Sequence, residues 1–300
     1  MNPNILVIGS SNTDMVTLSD RLPKPGETVI AKEFYIAQGG KGANQAVAAA
    51  RLGGEVTFVA KVGNDDFGRQ AIAGYQKDGI NTDLMTQDSD APTGTALINI
   101  DATGENMIVA TMGANARLSI KDVEKSLDQM KSAKVVLSQL EIPLETTLYA
   151  AKQATELGIP FILNPAPPNT LSDELIALCT YIIPNETEAS YFSGVTLKSD
   201  LDIQHAGQYF IQKGAENVII TLGARGAFLH NDRTSQFITA PTVKAVDTVG
   251  AGDVFCGAFT LAIAEGKPAS EAVRFANRSA SLAVTRKGVQ GGIPYRKEIG

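Results

Sequence analysis

Near the far end of the chain, Ala245-Val246-Asp247-Thr248-Val249-Gly250-Ala251-Gly252-Asp253-Val254-Phe255-Cys256-Gly257 combines residue types that can do chemistry. A β-type run from Val243 to Val246 enters it, two glycines within three residues turn it, and an apolar run from Val254 to Ile263 leaves it at helical spacing. This reads as a strand, a tight turn and a helix start. At such a start the backbone amides of Gly250, Ala251 and Gly252 lack intrahelical acceptors and, with the positive end of the helix dipole, attract an anion. Asp253 stands at the rim, where a carboxylate is either a cap that fills the nest itself or a base facing a substrate that brings its own negative charge. Taken alone, the short GxGD pattern favours the cap.

A second glycine stretch, Gly39-Gly40-Lys41-Gly42-Ala43-Asn44, precedes an Ala-rich helical run from Ala43 to Leu52 that Gly53-Gly54 closes. It is either a flexible loop or a place where backbone approaches a polar ligand while Lys41 and Asn44 supply donors. The GxxxxGK[ST] spacing of a P-loop is absent. Leu222-Gly223-Ala224-Arg225-Gly226-Ala227-Phe228 is a glycine-bounded turn between two strands, either a plain hairpin or a backbone track for a phosphate chain.

Positioning such groups needs a scaffold, and the rest of the chain alternates as α/β proteins do. Ile5-Leu6-Val7-Ile8-Gly9, apolar on both faces, predicts a central buried parallel strand. The following Ser10-Ser11-Asn12-Thr13-Asp14 lacks the later glycines of a dinucleotide fingerprint, which disfavours an oxidoreductase. Strands are predicted over 56–60, 135–138, 161–163, 181–183 and 217–221, and helices over 67–77, 120–130, 144–157, 200–213, 251–265 and 269–285. Such repetition means a parallel sheet covered on both faces, whose carboxyl edge collects ligands. The polar residues at that edge are Asn12, Asp14, Gln139, Glu141, Asn164, Asn185, Glu188, Thr221, Asp247 and Asp253, with Gly223 beside them. A turn or cap role would serve any one of them. Shared by so many strand ends, the chemistry points to a site, and Glu188 near the anion nest suggests a divalent metal held through water.

Two stretches break the alternation. Short pieces at 15–18, 28–31 and 34–36, and again at 93–100 and 106–110 around the hairpin signal Asp101-Ala102-Thr103-Gly104, predict small antiparallel strands. Together they suggest a small sheet projecting from the main body, as a lid or a dimer surface.

Composition bounds the rest. The 300 residues are 44% apolar, ample for a core, and carry a formal charge of −6 without a block of like charges. Nucleic acid and anionic membrane are therefore not the expected partners. No apolar run approaches a membrane span and no basic leader precedes Ile5, so a reducing cytosol is the expected location, in keeping with two isolated cysteines, Cys179 and Cys256. With two histidines, His205 and His230, a His-based metal or triad site has little material. No linker or repeat divides the chain, and 1–300 is expected to form one domain.

With Gly39-Gly40-Lys41-Gly42-Ala43-Asn44-Gln45-Ala46 near its start and Asp247-Thr248-Val249-Gly250-Ala251-Gly252-Asp253 near its end, the chain resembles the ribokinase-like family of sugar and nucleoside kinases. Asn164-Pro165-Ala166-Pro167, Pro184-Asn185-Glu186-Thr187-Glu188 and Ile220-Thr221-Leu222-Gly223 also look like family segments, in the family order. The resemblance implies a three-layer αβα sandwich with a mostly parallel sheet, a β lid (segments about 12–38 and 93–112) that also forms a homodimer, and transfer of the ATP γ-phosphoryl group to the 5-hydroxyl of D-ribose. A related sugar or nucleoside kinase is the alternative, and a non-catalytic sugar-binding regulator a more distant one.

By the same resemblance Asp253 would be the base and Gly250, Ala251 and Gly252 the anion hole. Asn12, Asp14, Gly40, Lys41, Asn44, Glu141 and Asp253 would bind the sugar. Asn185, Thr221, Gly223, Ala224, Arg225, Gly226, Gly252 and Asn277 would line the nucleotide, and Glu188 would order the Mg2+ shell. Asp247, Val249, Ala283, Arg286, Gly288 and Gly292 resemble positions that hold an activating K+, with Gly292 standing where members of the family often carry serine.

Overall fold

Ile5 and Val7 face one side of the first strand and Leu6 and Ile8 the other, and all four are buried, which is possible only if both faces of the sheet are covered. The computed structural model of the chain describes residues 3–299 and contains that sheet. In chain order its strands are β1 (Asn4–Ile8), β2 (Asn12–Leu18), β3 (Glu33–Gly39), β4 (Glu55–Val59), β5 (Lys61–Gly63), β6 (Thr86–Asp88), β7 (Gly94–Ile100) and β8 (Asn106–Thr111). They continue with β9 (Val135–Ser138), β10 (Phe161–Leu163), β11 (Tyr181–Ile182), β12 (Val218–Thr221), β13 (Ala227–Asn231) and β14 (Thr234–Ile238). The main sheet has 8 strands in the order β14-β13-β12-β11-β10-β9-β1-β4. From β12 to β4 every pairing is parallel, and β13 and β14 add an antiparallel edge.

The helices Lys41–Arg51, Asp66–Lys77, Ala251–Ala264 and Ala269–Ala283 pack on the Ile5 and Val7 face, and Leu144–Glu156 and Asp200–Gln212 on the Leu6 and Ile8 face. This is the αβα sandwich. Each fully buried Leu, Ile or Phe contributes about 1.5–3 kcal/mol relative to exposure. The helices Lys41–Arg51 and Ala251–Ala264 touch through Gly257, where a Cβ would come 2.5 Å from the Gln45 carbonyl oxygen and 2.7 Å from the Ala48 Cβ. Glycine there brings the starts of both helices to one place.

The small sheet has 4 strands in the order β3-β2-β7-β8. It is not wholly antiparallel as its turns suggested, because β2 and β7, which come from separate insertions, pair in parallel. On the face opposite Asp14, Phe34, Ile36, Leu97, Met107 and Val109 remain exposed.

Three local expectations are corrected. The run 243–246 forms no strand, since the sheet already ends at β14, and only the amides of Val246 and Asp247 reach back, to the Val284 carbonyl at 2.7 and 3.1 Å. Its β-branched residues have propensity but no neighbour. The run 28–31 is loop, because β2 ends at Leu18, opposite Glu33, and offers no further ladder. The helix over 120–130 divides into Ile120–Glu124 and Leu127–Ser132, where the Ser126 hydroxyl donates to the Val123 carbonyl (2.7 Å) in competition with the backbone. Among the described residues, no helix is long and apolar enough to cross a membrane.

Candidate active site

Asp253 lies in the first turn of Ala251–Ala264 and is 7% exposed. Gly250 precedes that helix at φ 75°, a left-handed conformation that favours glycine, and no side chain caps the helix. One of the three expected amides is spent locally, since Ala251 donates to the Thr248 carbonyl at 3.2 Å and closes a tight turn. The amides of Gly250, Gly252 and Asp253 have no acceptor among the described residues, so the nest remains but with altered membership.

The Asp253 carboxylate is not the cap. Its Oδ2 accepts from Asn44 Nδ2 (3.0 Å) and its Oδ1 from Gln45 Nε2 (3.0 Å), both on the neighbouring helix. Burial pushes its pKa up, and Lys41, Gln45 and Asn44 pull against that. Around Lys41 the balance goes the other way: burial opposes its charge, but Asp253, Glu141 and Glu188 hold the ammonium above its usual range.

At the start of Lys41–Arg51 the protein supplies its own anion. Glu141 Oε2 accepts from the Lys41 amide (2.9 Å) and from Ser10 Oγ (2.6 Å), and Ser10 Oγ accepts from the Gly42 amide (3.2 Å). Asp14 faces the same space, its pKa raised to about 6 by burial and then by Glu141 and Asp253. Asn12 is oriented by Asn115, whose Nδ2 donates to its Oδ1 at 2.7 Å. A side chain at Gly40 would come 2.8 Å from the Asn12 amide nitrogen, which explains that glycine. This side of Asp253 presents carboxylates, amides and an ammonium, the donors and acceptors that recognise a polyol.

On its other side Asp253 borders a cavity of about 160 Å³ shared with Lys41, Asn164, Asn185, Glu188, Thr221, Gly250 and Gly252. Glu188 and Asn185 form a reciprocal cap: Asn185 N and Nδ2 donate to the carboxylate (2.8 Å each) and Glu188 N donates back (2.8 Å). Burial raises the Glu188 pKa against those bonds and Lys41. Beyond Gly252 opens a larger, mostly apolar cavity of about 330 Å³, bordered by Thr221, Gly223, Ala224, Gly226, Ala251 and Asn277. Asn277 Nδ2 donates to the Ile238 carbonyl (3.0 Å), which holds β14 beside it. A hydrophobic slot leading to an anion nest suits a nucleotide.

Arg225 does not join this cavity. Its guanidinium pairs with Asp200 and lies over the Phe237 ring. Among the positions expected to hold a cation, the Asp247 carboxylate accepts from the Val249 and Gly288 amides (3.0 Å each). A side chain at Gly292 would come 3.1 Å from the Ala283 carbonyl oxygen and 3.8 Å from that of Arg286, so both carbonyls border one small space. Such hard oxygens are the donors that alkali and alkaline-earth ions take. The Arg286 side chain itself pairs with Glu298 (2.6 Å).

A buried acid beside open amides, with a polyol-like surface on one side and a nucleotide-sized slot on the other, is the layout of a small-molecule kinase. The model of the pfkB family carbohydrate kinases matches residues 2–296. The chain belongs to that family. It is 43% identical over 297 residues to the ribokinase of Bacillus subtilis, covering 99% of this chain and 98% of that one. It is 42% identical over 298 residues to the ribokinase of Haemophilus influenzae, covering 99% and 97%. Among solved structures, Arabidopsis thaliana ribokinase complexed with ribose and ATP is similar at TM-score 0.92 and 34% identity, covering 100% of this chain and 98% of that one.

Within this pfkB-family chain, several contributors have no assigned role in the sequence reading. Gln45 and Gln139 hold Asp253 from behind, Asn115 holds Asn12, and Gln290 Nε2 donates to Asn44 Oδ1 (3.1 Å). Gln139 was visible only as a polar residue at a strand end. Phe255, Val243 and Val284, which line the larger cavity, carry no polar signal at all.

Proposed function

We propose that this chain is an ATP-dependent ribokinase that transfers the γ-phosphoryl group of ATP to the 5-hydroxyl of D-ribose. One observation carries the reading: the Asp253 carboxylate lies at a helix start where the amides of Gly250, Gly252 and Asp253 have no acceptor among the described residues. Asp253 takes the proton from the sugar hydroxyl, and the amides of Gly250, Gly252 and Asp253 stabilise the charge on the migrating phosphoryl group. Lys41, close to both, adds positive charge at the same point. Asn12, Asp14, Gly40, Asn44 and Glu141 bind the sugar, while Thr221, Gly223, Ala224, Gly226 and Asn277 line the nucleotide and Asn185 adjoins its phosphates. Likeness to a relative solved with ribose and ATP supports this division.

The donors fit Mg2+. Among the described residues no group of three His, Cys, Asp or Glu forms a metal cage. Glu188 would instead hold, through water, a divalent ion brought by the nucleotide phosphates. When bound it neutralises phosphate charge. Asp247, Val249, Ala283, Arg286, Gly288 and Gly292 would hold K+, with a carbonyl or water taking the place of a serine at Gly292. The chain works as one domain, 1–300, in the cytoplasm. Segments 12–38 and 93–112 close as a lid, and the apolar face at Phe34, Ile36, Leu97 and Val109 is covered in a homodimer.

The test is turnover of ATP with D-ribose compared with fructose, 2-deoxyribose and adenosine. Preference for ribose supports the reading, and failure on ribose with rapid turnover of another acceptor replaces it with a related sugar or nucleoside kinase. Ribose binding without phosphorylation would point to a regulator. Equal rates in sodium and potassium would remove the K+ site.

A further inference from the structure

Gln45 and Gln139 are fully buried polar side chains that contact neither cavity, and together they end on Asp253. Gln45 Nε2 donates to Asp253 Oδ1 (3.0 Å) and to Asn164 Oδ1 (3.0 Å), while Gln45 Oε1 accepts from Gln139 Nε2 (2.7 Å). The chemistry of the end point fixes the direction of the chain. A carboxylate only accepts, so the Gln45 group that faces it must be the NH2, and the Gln45 carbonyl must then face a donor. Gln139 is that donor.

Gln139 supplies it at a cost. Its own Oε1 is buried with no partner, against Gly9, where a Cβ would come 2.2 Å from that oxygen. An unpartnered buried carbonyl is destabilising and uncommon, and an apolar side chain would avoid it. What an apolar side chain could not do is hold the Gln45 amide in the one orientation that serves Asp253.

We infer that Gln139 and Gln45 are positioning residues for phosphoryl transfer: Gln139 fixes the rotamer of the Gln45 amide, and Gln45 in turn fixes the plane of the Asp253 carboxylate and keeps it anionic. This rests on the reading of Asp253 as the base. With Oδ1 held by Gln45 and Oδ2 by Asn44, the carboxylate cannot swing away from the incoming hydroxyl. Those bonds also oppose the upward push of burial on its pKa, so losing them moves protonation of the base to higher pH.

The experiment is a double-mutant cycle on the full chain with Gln45→Leu, Gln139→Leu, the double variant and Asp253→Asn as reference. It measures kcat, KM for ATP and the pH profile of kcat/KM for ribose. Gln45→Leu should lower kcat about tenfold or more, Gln139→Leu less, both with the acid limb moved to higher pH and KM for ATP unchanged. The double variant should be no slower than Gln45→Leu alone, because Gln139 acts only through Gln45. Gln139→Leu exchanges one orphaned buried carbonyl, its own Oε1, for another, Gln45 Oε1, so it should fold and carries the test even where Gln45→Leu does not. An inactive Asp253→Asn combined with an unmoved acid limb in Gln139→Leu, or with additive losses in the cycle, overturns the relay. An active Asp253→Asn overturns the base instead.

Discussion

The helices Lys41–Arg51 and Ala251–Ala264 both begin after a glycine in positive φ, lie against each other, and aim their first amides at one region, yet they end up opposite in kind. The first is closed by Glu141 and Ser10, and the second is left open. A closed helix start is a fixed wall carrying a carboxylate, fit for sugar hydroxyls. An open one leaves donors, backed by the helix dipole, free to receive a ligand's anion. A glycine before a helix therefore does not identify an anion site, which depends on whether the fold delivers a side chain to that glycine from elsewhere, as β9 and the turn after it deliver Glu141.

Removing the acid beside the open start should have the largest effect. Asp253→Asn keeps the size and hydrogen-bonding capacity of the residue but not the base, so kcat should fall about 10²–10⁴-fold with ribose binding retained, as read by turnover and calorimetry. An unchanged kcat would break the distinction between the two starts.

Next comes the crowding of carboxylates between them. Burial, with the Glu141 and Asp253 carboxylates nearby, raises the Asp14 pKa to about 6 from an ordinary 3.8. A carboxyl group raised in this way destabilises the native state fully above about pH 6 and not at all below its unfolded value. Asp14→Asn should therefore stabilise the ligand-free protein above pH 7, by about 3 kcal/mol at most. The gain should vanish as pH falls toward 4, and ribose binding should weaken. Thermal melts across pH measure this, and a gain that persists at pH 4 would assign the effect to packing.

Glu141→Ala opens the closed start. It should lower stability by about 0.5–2 kcal/mol in denaturant titrations and raise KM for ribose, leaving KM for ATP alone. The smallest effect is expected from Arg225→Ala. With its guanidinium on Asp200, the change should leave KM for ATP within about twofold. A large rise would mean that a side-chain cation, and not open amides, holds the phosphates.

What was legible in the sequence follows from the same contrast. Parallel strands such as Ile5 to Ile8 announce themselves because both faces must be apolar, and the glycines at 250 and 252 mark a helix start by local geometry. The strand assigned to Val243–Val246 failed because strand formation needs a partner, which composition does not reveal. The anion nest exchanged Ala251 for Asp253 because the Ala251 amide closes a turn that no residue type signals. Gln45 and Gln139 had no visible role because their meaning lies in what they touch across 94 residues of chain.

The most direct measurement is a crystal structure with D-ribose and a non-hydrolysable ATP analogue. The account predicts an Asp253 carboxylate oxygen within about 3.2 Å of the sugar 5-hydroxyl and the terminal phosphate on the amides of Gly250, Gly252 and Asp253. A sugar bound with every hydroxyl out of reach of Asp253, or a phosphate seated away from those amides, would contradict it.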